Sequence, residues 1–398
     1  MTYDVMIVGG GIVGLATAYQ ILLEKPNTSL LIVEKEAEVA AHQTGHNSGV
    51  IHSGLYYKPG SLKAKNCITG YRMLLEFADE NDIPYDLCGK VVVATSEEEL
   101  PELEKLYNRG IENGLAGLKM IDADELRTYE PHVAGIKAIL VPQTGIIDYK
   151  LVSQKYLASI EKLGGDIRYN FKVNGFAKSN GNWLVRSDHR MLESKTIINC
   201  AGLYSDKVAG LTEKLDTKII PFRGEYYMLK ESAHHLVNNL IYPVPDPNFP
   251  FLGVHFTRMM NGHIEAGPNA VLAFRREGYT KKDFHLGELL ESLLWPGFQK
   301  VARKYWKTGI GEMYRSFSKR AFTKALQKLI PSITKDDLVP AEAGVRAQAC
   351  DRAGGLLDDF KIIEKPGAIH VVNAPSPAAT SSLAIGKTIA DLWLSNSK

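Results

Sequence analysis

The stretch Val5-Met6-Ile7-Val8-Gly9-Gly10-Gly11-Ile12-Val13-Gly14 decides the fold. A short apolar run bounded by Asp4 and Gly9 reads as a buried parallel strand. Gly9, Gly11 and Gly14 then form GxGxxG, and residues 12–23 read as a helix with Leu15, Ala18 and Leu22 on one face. Pro26 and Asn27 stop that helix, and residues 30–33 give a second strand that ends at Glu34. Each part has a physical task in holding a dinucleotide. Gly9 permits a tight turn, Gly11 lets the backbone approach a pyrophosphate, and Gly14 brings the helix against the strand. The helix start at Ile12 and Val13 offers free N–H groups to the phosphates. Glu34 follows Gly14 by 20 residues. A carboxylate there accepts from ribose hydroxyls and repels a 2′-phosphate, which argues against NADP. The unit does not choose between NAD and FAD.

Outward from this unit the chain runs to 398 residues, enough for two to three domains. Its 45% hydrophobic and 23% charged residues exclude a disordered chain, and the net charge of +2 gives no reason to expect nucleic acid. The four cysteines, Cys67, Cys88, Cys200 and Cys350, form no CxxC pair, so neither a metal site nor a disulfide framework is expected. With no apolar run of 18 residues and no signal-like N-terminus, the expectation is a cytoplasmic protein.

A second glycine- and histidine-rich stretch covers Thr44-Gly45-His46-Asn47-Ser48-Gly49-Val50-Ile51-His52-Ser53-Gly54, followed by Tyr56-Tyr57-Lys58-Pro59-Gly60-Ser61-Leu62-Lys63-Ala64. Small residues there suit a backbone lying against a flat ring system. With Pro221-Phe222-Arg223-Gly224-Glu225-Tyr226-Tyr227, these motifs resemble the FAD-dependent oxidoreductases of the D-amino-acid oxidase superfamily, and within it the L-2-hydroxyglutarate-oxidising branch. The resemblance extends over almost the whole length. It implies an α/β protein in which a Rossmann-type FAD-binding domain is interleaved with a mixed-sheet substrate-binding domain. The expected boundaries are 1–85, 145–220 and 340–398 for the first, and 86–144 and 221–339 for the second. It also implies FAD contacts from Gly9, Gly11, Ile12, Val13, Gly14, Glu34, Lys35, Thr44, Asn47, Ser48, Gly49, Val50, Val173, Ala201 and Gly202. Ser376, Pro377, Ala378, Ala379 and Thr380, just before a C-terminal helix, complete the set. Cys350 stands in the general region of a flavin-linking cysteine of some relatives, but its surroundings differ, so a non-covalent flavin is expected. Elsewhere the pattern predicts strands at 89–95, 226–229 and 252–255, helices at 97–113 and 122–129, and a Pro- and Asn-rich loop at 237–250.

Oxidising a 2-hydroxy acid calls for a proton acceptor, a hydride acceptor and cations for the carboxylates. His52 and His255 are the candidate bases, while His46 folds the loop or touches the cofactor. The resemblance assigns Arg346 to a substrate carboxylate through a two-pronged guanidinium contact, although relatives often carry proline where this chain has Ala347. Arg223 and Lys58 are alternatives for the distal carboxylate, and Tyr56 and Tyr57 are candidates to close the pocket. The expected reaction is oxidation of L-2-hydroxyglutarate to 2-oxoglutarate, with electrons passed to a quinone or oxygen. The alternatives are an amine or amino-acid oxidase of the same superfamily, or a non-catalytic flavin-binding protein. Finally, residues 299–329 carry nine basic side chains against the single acid Glu312, interleaved with aromatics. This pattern suits peripheral contact with an anionic membrane, where a quinone acceptor resides.

Overall fold

The computed structural model describes residues 1–246 and 252–396. The apolar N-terminal run forms the strand Thr2–Val8, which pairs in parallel with Leu30–Val33 on one side and Met191–Asn199 on the other. Among the described residues this sheet has eight strands, and it continues through Asp166–Arg168 at one edge and Asn182–Arg186 and Gly175–Ser179 at the other. Ala368–Asn373 joins beside Met191–Asn199. Strand residues buried on both faces explain the unbroken apolar run.

On one face of this sheet, the helix Ile12–Glu24 packs against Ser382–Asn396 with almost no space between backbones. A Cβ at Gly386 would lie 2.6 Å from the Ala16 carbonyl carbon. The chain's last helix is thereby fixed against its first, which brings residues 376–380 beside the glycine turn.

A second sheet of eight strands has the order Leu338–Pro340, Tyr227–Leu229, Ile264–Gly267, His255–Arg258, Leu240–Pro243, Lys90–Ala94, Lys137–Val141 and Lys119–Asp122. It is mixed, because Leu240–Pro243 runs parallel to Lys90–Ala94 while the other pairs are antiparallel. Alternation sends Val91 and Val93 to one core, with Phe256, Phe322 and Leu326, and Val92 and Ala94 to another, with Leu103, Leu106 and Tyr242. A ribbon of Thr217–Gly224 and Gly344–Asp351 sets Phe222 opposite Arg346.

Three expectations shift. The strand predicted at 252–255 begins at His255 instead and runs to Arg258. The loop predicted at 237–250 contains the strand Leu240–Pro243, because Leu240, Ile241 and Tyr242 bury against Lys90–Ala94; residues 247–250 lie outside the described residues. The helix at 97–113 is a short 3₁₀ turn, Glu97–Glu99, leading into Leu100–Glu112, with Pro101 at the start of the regular helix. In and just before the basic segment, Trp295, Phe298 and Phe322 are core residues, and Glu312 is buried in an ion pair with Arg315. Among the described residues, no helix is long and apolar enough to cross a membrane.

Candidate active site

The glycine turn and the second sheet line a single cavity of about 1180 Å³, above the roughly 300–1,000 Å³ of an ordinary small-molecule pocket. Gly9 adopts φ +112°, and a Cβ on it would come within 2.5 Å of the Cys200 carbonyl oxygen, so only glycine makes this turn. At Gly11 a Cβ would find nothing nearer than the Thr44 hydroxyl at 3.5 Å, which leaves the backbone open to the cavity. The Ile12 N–H donates to Thr44 Oγ1 (3.1 Å), and the first turn of the helix carries no acid. Glu34 is held by two backbone amides: Gly10 N–H donates to Oε2 (2.6 Å) and Glu36 N–H to Oε1 (2.9 Å). Each carboxylate oxygen keeps a lone pair for a further donor.

Ile12, Val13, Lys35, Thr44, Asn47, Ser48, Val50, Val173, Ala201, Gly202, Ser376, Pro377, Ala378 and Ala379 line the same cavity. A chamber of this size, an open glycine cradle, an acid-free helix start and a fixed carboxylate fit an adenine dinucleotide. Gly14, Gly49 and Thr380 lie outside the cavity lining. A Cβ at Gly14 would meet Gly9 O at 2.1 Å, so Gly14 serves helix–strand packing. Gly49, at φ +67°, turns the chain against Ile147. Thr380 is buried, where its hydroxyl accepts from His52 N–H (3.1 Å) and hydrogen-bonds Tyr149 (2.8 Å). Lys35 is not a free cation: its ammonium lies among Glu36, Glu277 and His42. Those three side chains have metal-like spacing, but the lysine fills the space between them. Cys350 packs with Phe298 and Trp295 and does not line the cavity.

At the second sheet the cavity is walled by His52, Tyr56, Tyr57, Tyr226, Tyr242, His255 and Arg346. The His255 ring stacks on Tyr242 with centroids 3.9 Å apart, and its Nδ1 lies 2.9 Å from Gly253 O. That contact makes Nδ1 the protonated nitrogen and leaves Nε2 an acceptor. His52 makes no side-chain hydrogen bond among the described residues. Burial, then the nearby Lys90 charge, pushes the His52 imidazole down to about 3. Burial, then Arg346 and Lys90, does the same to His255, also to about 3. Both rings are therefore neutral near pH 7. Arg346 is exposed to the open cavity and hydrogen-bonds Tyr226, and Tyr57 hydrogen-bonds Ser376.

Two expected cations are absent from this wall. Arg223 is buried away from the cavity, where Glu225 takes its guanidinium at 2.8 Å and the Thr280 carbonyl accepts at 2.9 Å. Lys58 is exposed and lies outside the lining. Conversely, sequence reasoning passed over Tyr226, Tyr242, Lys63 and Lys90. A signal for Lys90 existed, because Lys90-Val91-Val92-Val93-Ala94 sets a charge at an inward phase of an apolar strand.

The chain matches the FAD dependent oxidoreductase family over residues 4–392. It is 61% identical over 393 residues to the L-2-hydroxyglutarate dehydrogenase of Indibacter alkaliphilus, covering 98% of each chain. Against the mitochondrial L-2-hydroxyglutarate dehydrogenase of Homo sapiens the identity is 45%, over 98% of this chain and 88% of that one. Among solved structures it resembles the FAD-bound L-alpha-glycerophosphate oxidase of Mycoplasma pneumoniae, with a TM-score of 0.81, 26% identity, and 99% and 95% of the two chains covered. Glycine oxidase from Geobacillus kaustophilus shares the fold at a TM-score of 0.73 and 15% identity, covering 99% of this chain and 95% of that one.

Proposed function

We infer the chemistry of the cavity from a premise: this chain belongs to the FAD dependent oxidoreductase family. Its reaction is the FAD-dependent oxidation of L-2-hydroxyglutarate to 2-oxoglutarate. The observation that carries this is the 61% identity to an L-2-hydroxyglutarate dehydrogenase across 98% of both chains. The amine-oxidase alternative rests on a shared fold at 15–18% identity.

We propose the following roles. The backbone at Gly9, Gly11, Ile12 and Val13 holds the pyrophosphate of FAD, Glu34 its adenosine ribose, and the loops at 44–50 and 376–379 its ring system. When bound, FAD supplies the acceptor for the hydride that leaves C2 of the substrate. Arg346 grips one carboxylate, with Tyr226 setting its direction. As the C2 carbonyl forms, the hydroxyl proton passes to a neutral imidazole of the His52–His255 pair. Depressed basicity costs driving force but keeps the acceptor unprotonated before substrate arrives. We read 1–85, 145–220 and 340–398 as the cofactor domain and the remaining segments as the substrate domain, with the cavity between them.

Anaerobic addition of L-2-hydroxyglutarate should bleach the bound flavin, whereas the D-isomer and amino acids should not. Bleaching by glycine or sarcosine but not by the hydroxy acid would overturn this reading.

For the electron acceptor we propose a quinone, reached by peripheral docking of the segment 299–329. The helices Leu286–Leu293 and Pro296–Phe317 support this. Leu290, Leu293, Leu294, Trp306, Ile310, Tyr314 and Phe317 are exposed among the basic residues Lys300, Arg303, Lys304 and Lys307.

A further inference from the structure

A dicarboxylate needs a second anchor, and with Arg223 and Lys58 excluded by their positions the cavity must supply another. Lys63 lines it, but its ammonium already meets Asp358 at 2.8 Å. Lys35 is enclosed by two glutamates. Lys90 differs from both. It is 1% exposed, yet among the described residues it has no carboxylate partner and donates no hydrogen bond. Its ammonium sits 4.5 Å from the ring centroid of Tyr56 and 4.9 Å from that of Tyr242, directly behind two side chains that face the cavity. A buried ammonium without a counter-ion either gives up its proton or is stabilised when an anion arrives. The Tyr56 hydroxyl is a second unexplained group: it is buried and has no hydrogen-bond partner among the described residues.

We propose that Lys90, acting through the free hydroxyl of Tyr56, recognises the second carboxylate of the substrate. This rests on the reading of the substrate as L-2-hydroxyglutarate. The ammonium, 4.5 Å from the ring centroid, adds positive potential where an anion would meet the phenol. The same positive potential falls on the cavity side of the aromatic wall, where little water screens it. Lys90 is thus a positioning residue and Tyr56 the group in contact.

The groups facing Lys90 set the pH dependence. Tyr56 and Tyr242 flank it, both raised above the usual phenol range, and Cys67 of the helix Leu62–Glu80 is pushed up to about 12 by burial. His52 and His255 are neutral above about 3, and Lys63 and Arg346 add positive charge nearby. Burial pushes Lys90 itself down to about 7, so it is the group that changes charge near neutrality. Its charge is present below that value and is lost as pH rises through it. Affinity for a dicarboxylate should therefore fall above about pH 7, while affinity for a monocarboxylate should not.

The test is anaerobic titration of the FAD-bound protein with L-2-hydroxyglutarate and with L-2-hydroxybutanoate, which lacks the second carboxylate. The preference is the ratio of half-saturating concentrations. Lys90→Met should cut it by about tenfold or more, and Tyr56→Phe should cut it in the same direction. Lys90→Arg, which keeps its charge, should lose the decline above pH 7. Flavin absorbance and melting temperature verify each variant, and Tyr56→Phe decides alone if Lys90→Met does not fold. An unchanged preference in folded Lys90→Met or Tyr56→Phe overturns the proposal. Failure of the wild type itself to respond to L-2-hydroxyglutarate overturns the substrate reading first and this proposal with it.

Discussion

Arg346 points into the cavity from the strand Gly344–Asp351, with its guanidinium directed by Tyr226. In the proposed role, replacing it with alanine removes a charge-assisted pairing and should raise the half-saturating substrate concentration, by an amount worth about 2–5 kcal/mol where bound substrate excludes water from the pair. Arg346→Lys should recover part of this, because a point charge cannot reproduce two parallel hydrogen bonds. Unchanged saturation in the alanine variant would place that carboxylate elsewhere. In the role proposed for the histidines the neutral ring is the working form, so lowering the pKa extends activity toward acid. Both rings are depressed from 6.5 to about 3, and kcat/KM should hold as pH falls through 6.5 and be lost only near 3. A clear acid limb near 6.5 would contradict that burial. His52→Ala or His255→Ala should slow flavin reduction by about two to four orders of magnitude, the slower variant identifying the acceptor. Wild-type rates in both would remove the pair from the mechanism.

Between elements, the first and last helices meet backbone to backbone. At Gly386 an added methyl would meet the Ala16 carbonyl carbon at 2.6 Å and its oxygen at 2.7 Å, backbone that cannot rotate away. Gly386→Ala should therefore destabilise the protein by about 1–3 kcal/mol through forced separation of the helices. Because residues 376–379 precede that helix, flavin should also dissociate more readily, which fluorescence of released FAD measures. Equal stability and equal retention would show that the helices can move apart freely. The strand–turn–helix unit at residues 2–24 was legible because its signals are local: an apolar run, three glycines and a helical stripe. The cavity-lining loop at 44–50 was legible through its unusual run of small residues. Arg223 was not, since nothing in Pro221-Phe222-Arg223 reveals that Glu225, two residues on, takes its charge within the core. Tyr242 was hidden for a similar reason. Its Pro- and Asn-rich neighbours read as loop, and only pairing with a strand 150 positions earlier makes it part of a sheet. Lys90 carried its meaning in strand phase, which becomes chemistry only when the opposing tyrosines are in place.

For the molecule as a whole, charge is distributed unevenly. The segment 299–329 holds nine basic residues and one acid, within a chain of net charge +2, so the remainder is acidic. Folding sharpens this asymmetry, because the one acid, Glu312, is buried against Arg315. On the helix Pro296–Phe317, Phe298 and Val301 face the core while Trp306, Ile310 and Tyr314 recur every four residues on the outside, 56–66% exposed. Lys300, Arg303 and Lys304 are exposed just before the kink at Tyr305, and Lys307 is exposed beside Trp306. Apolar rings amid ammonium groups match the lipid interface, where rings enter the headgroup layer and each cation adds roughly 1 kcal/mol against anionic lipid. The protein should sediment with phosphatidylglycerol-containing vesicles, stay in solution with phosphatidylcholine alone, and be released as salt shortens the Debye length to a few ångströms. Reversal of Lys300, Lys304 and Lys307 to Glu should abolish sedimentation while turnover with a soluble dye acceptor persists, since none of the three lines the cavity. Trp306→Ser should weaken binding at constant charge, which separates ring insertion from attraction at a distance. Wild-type protein that remains in the supernatant at low salt would make the basic stretch a solvated helix face, and a soluble oxidant would then be the acceptor.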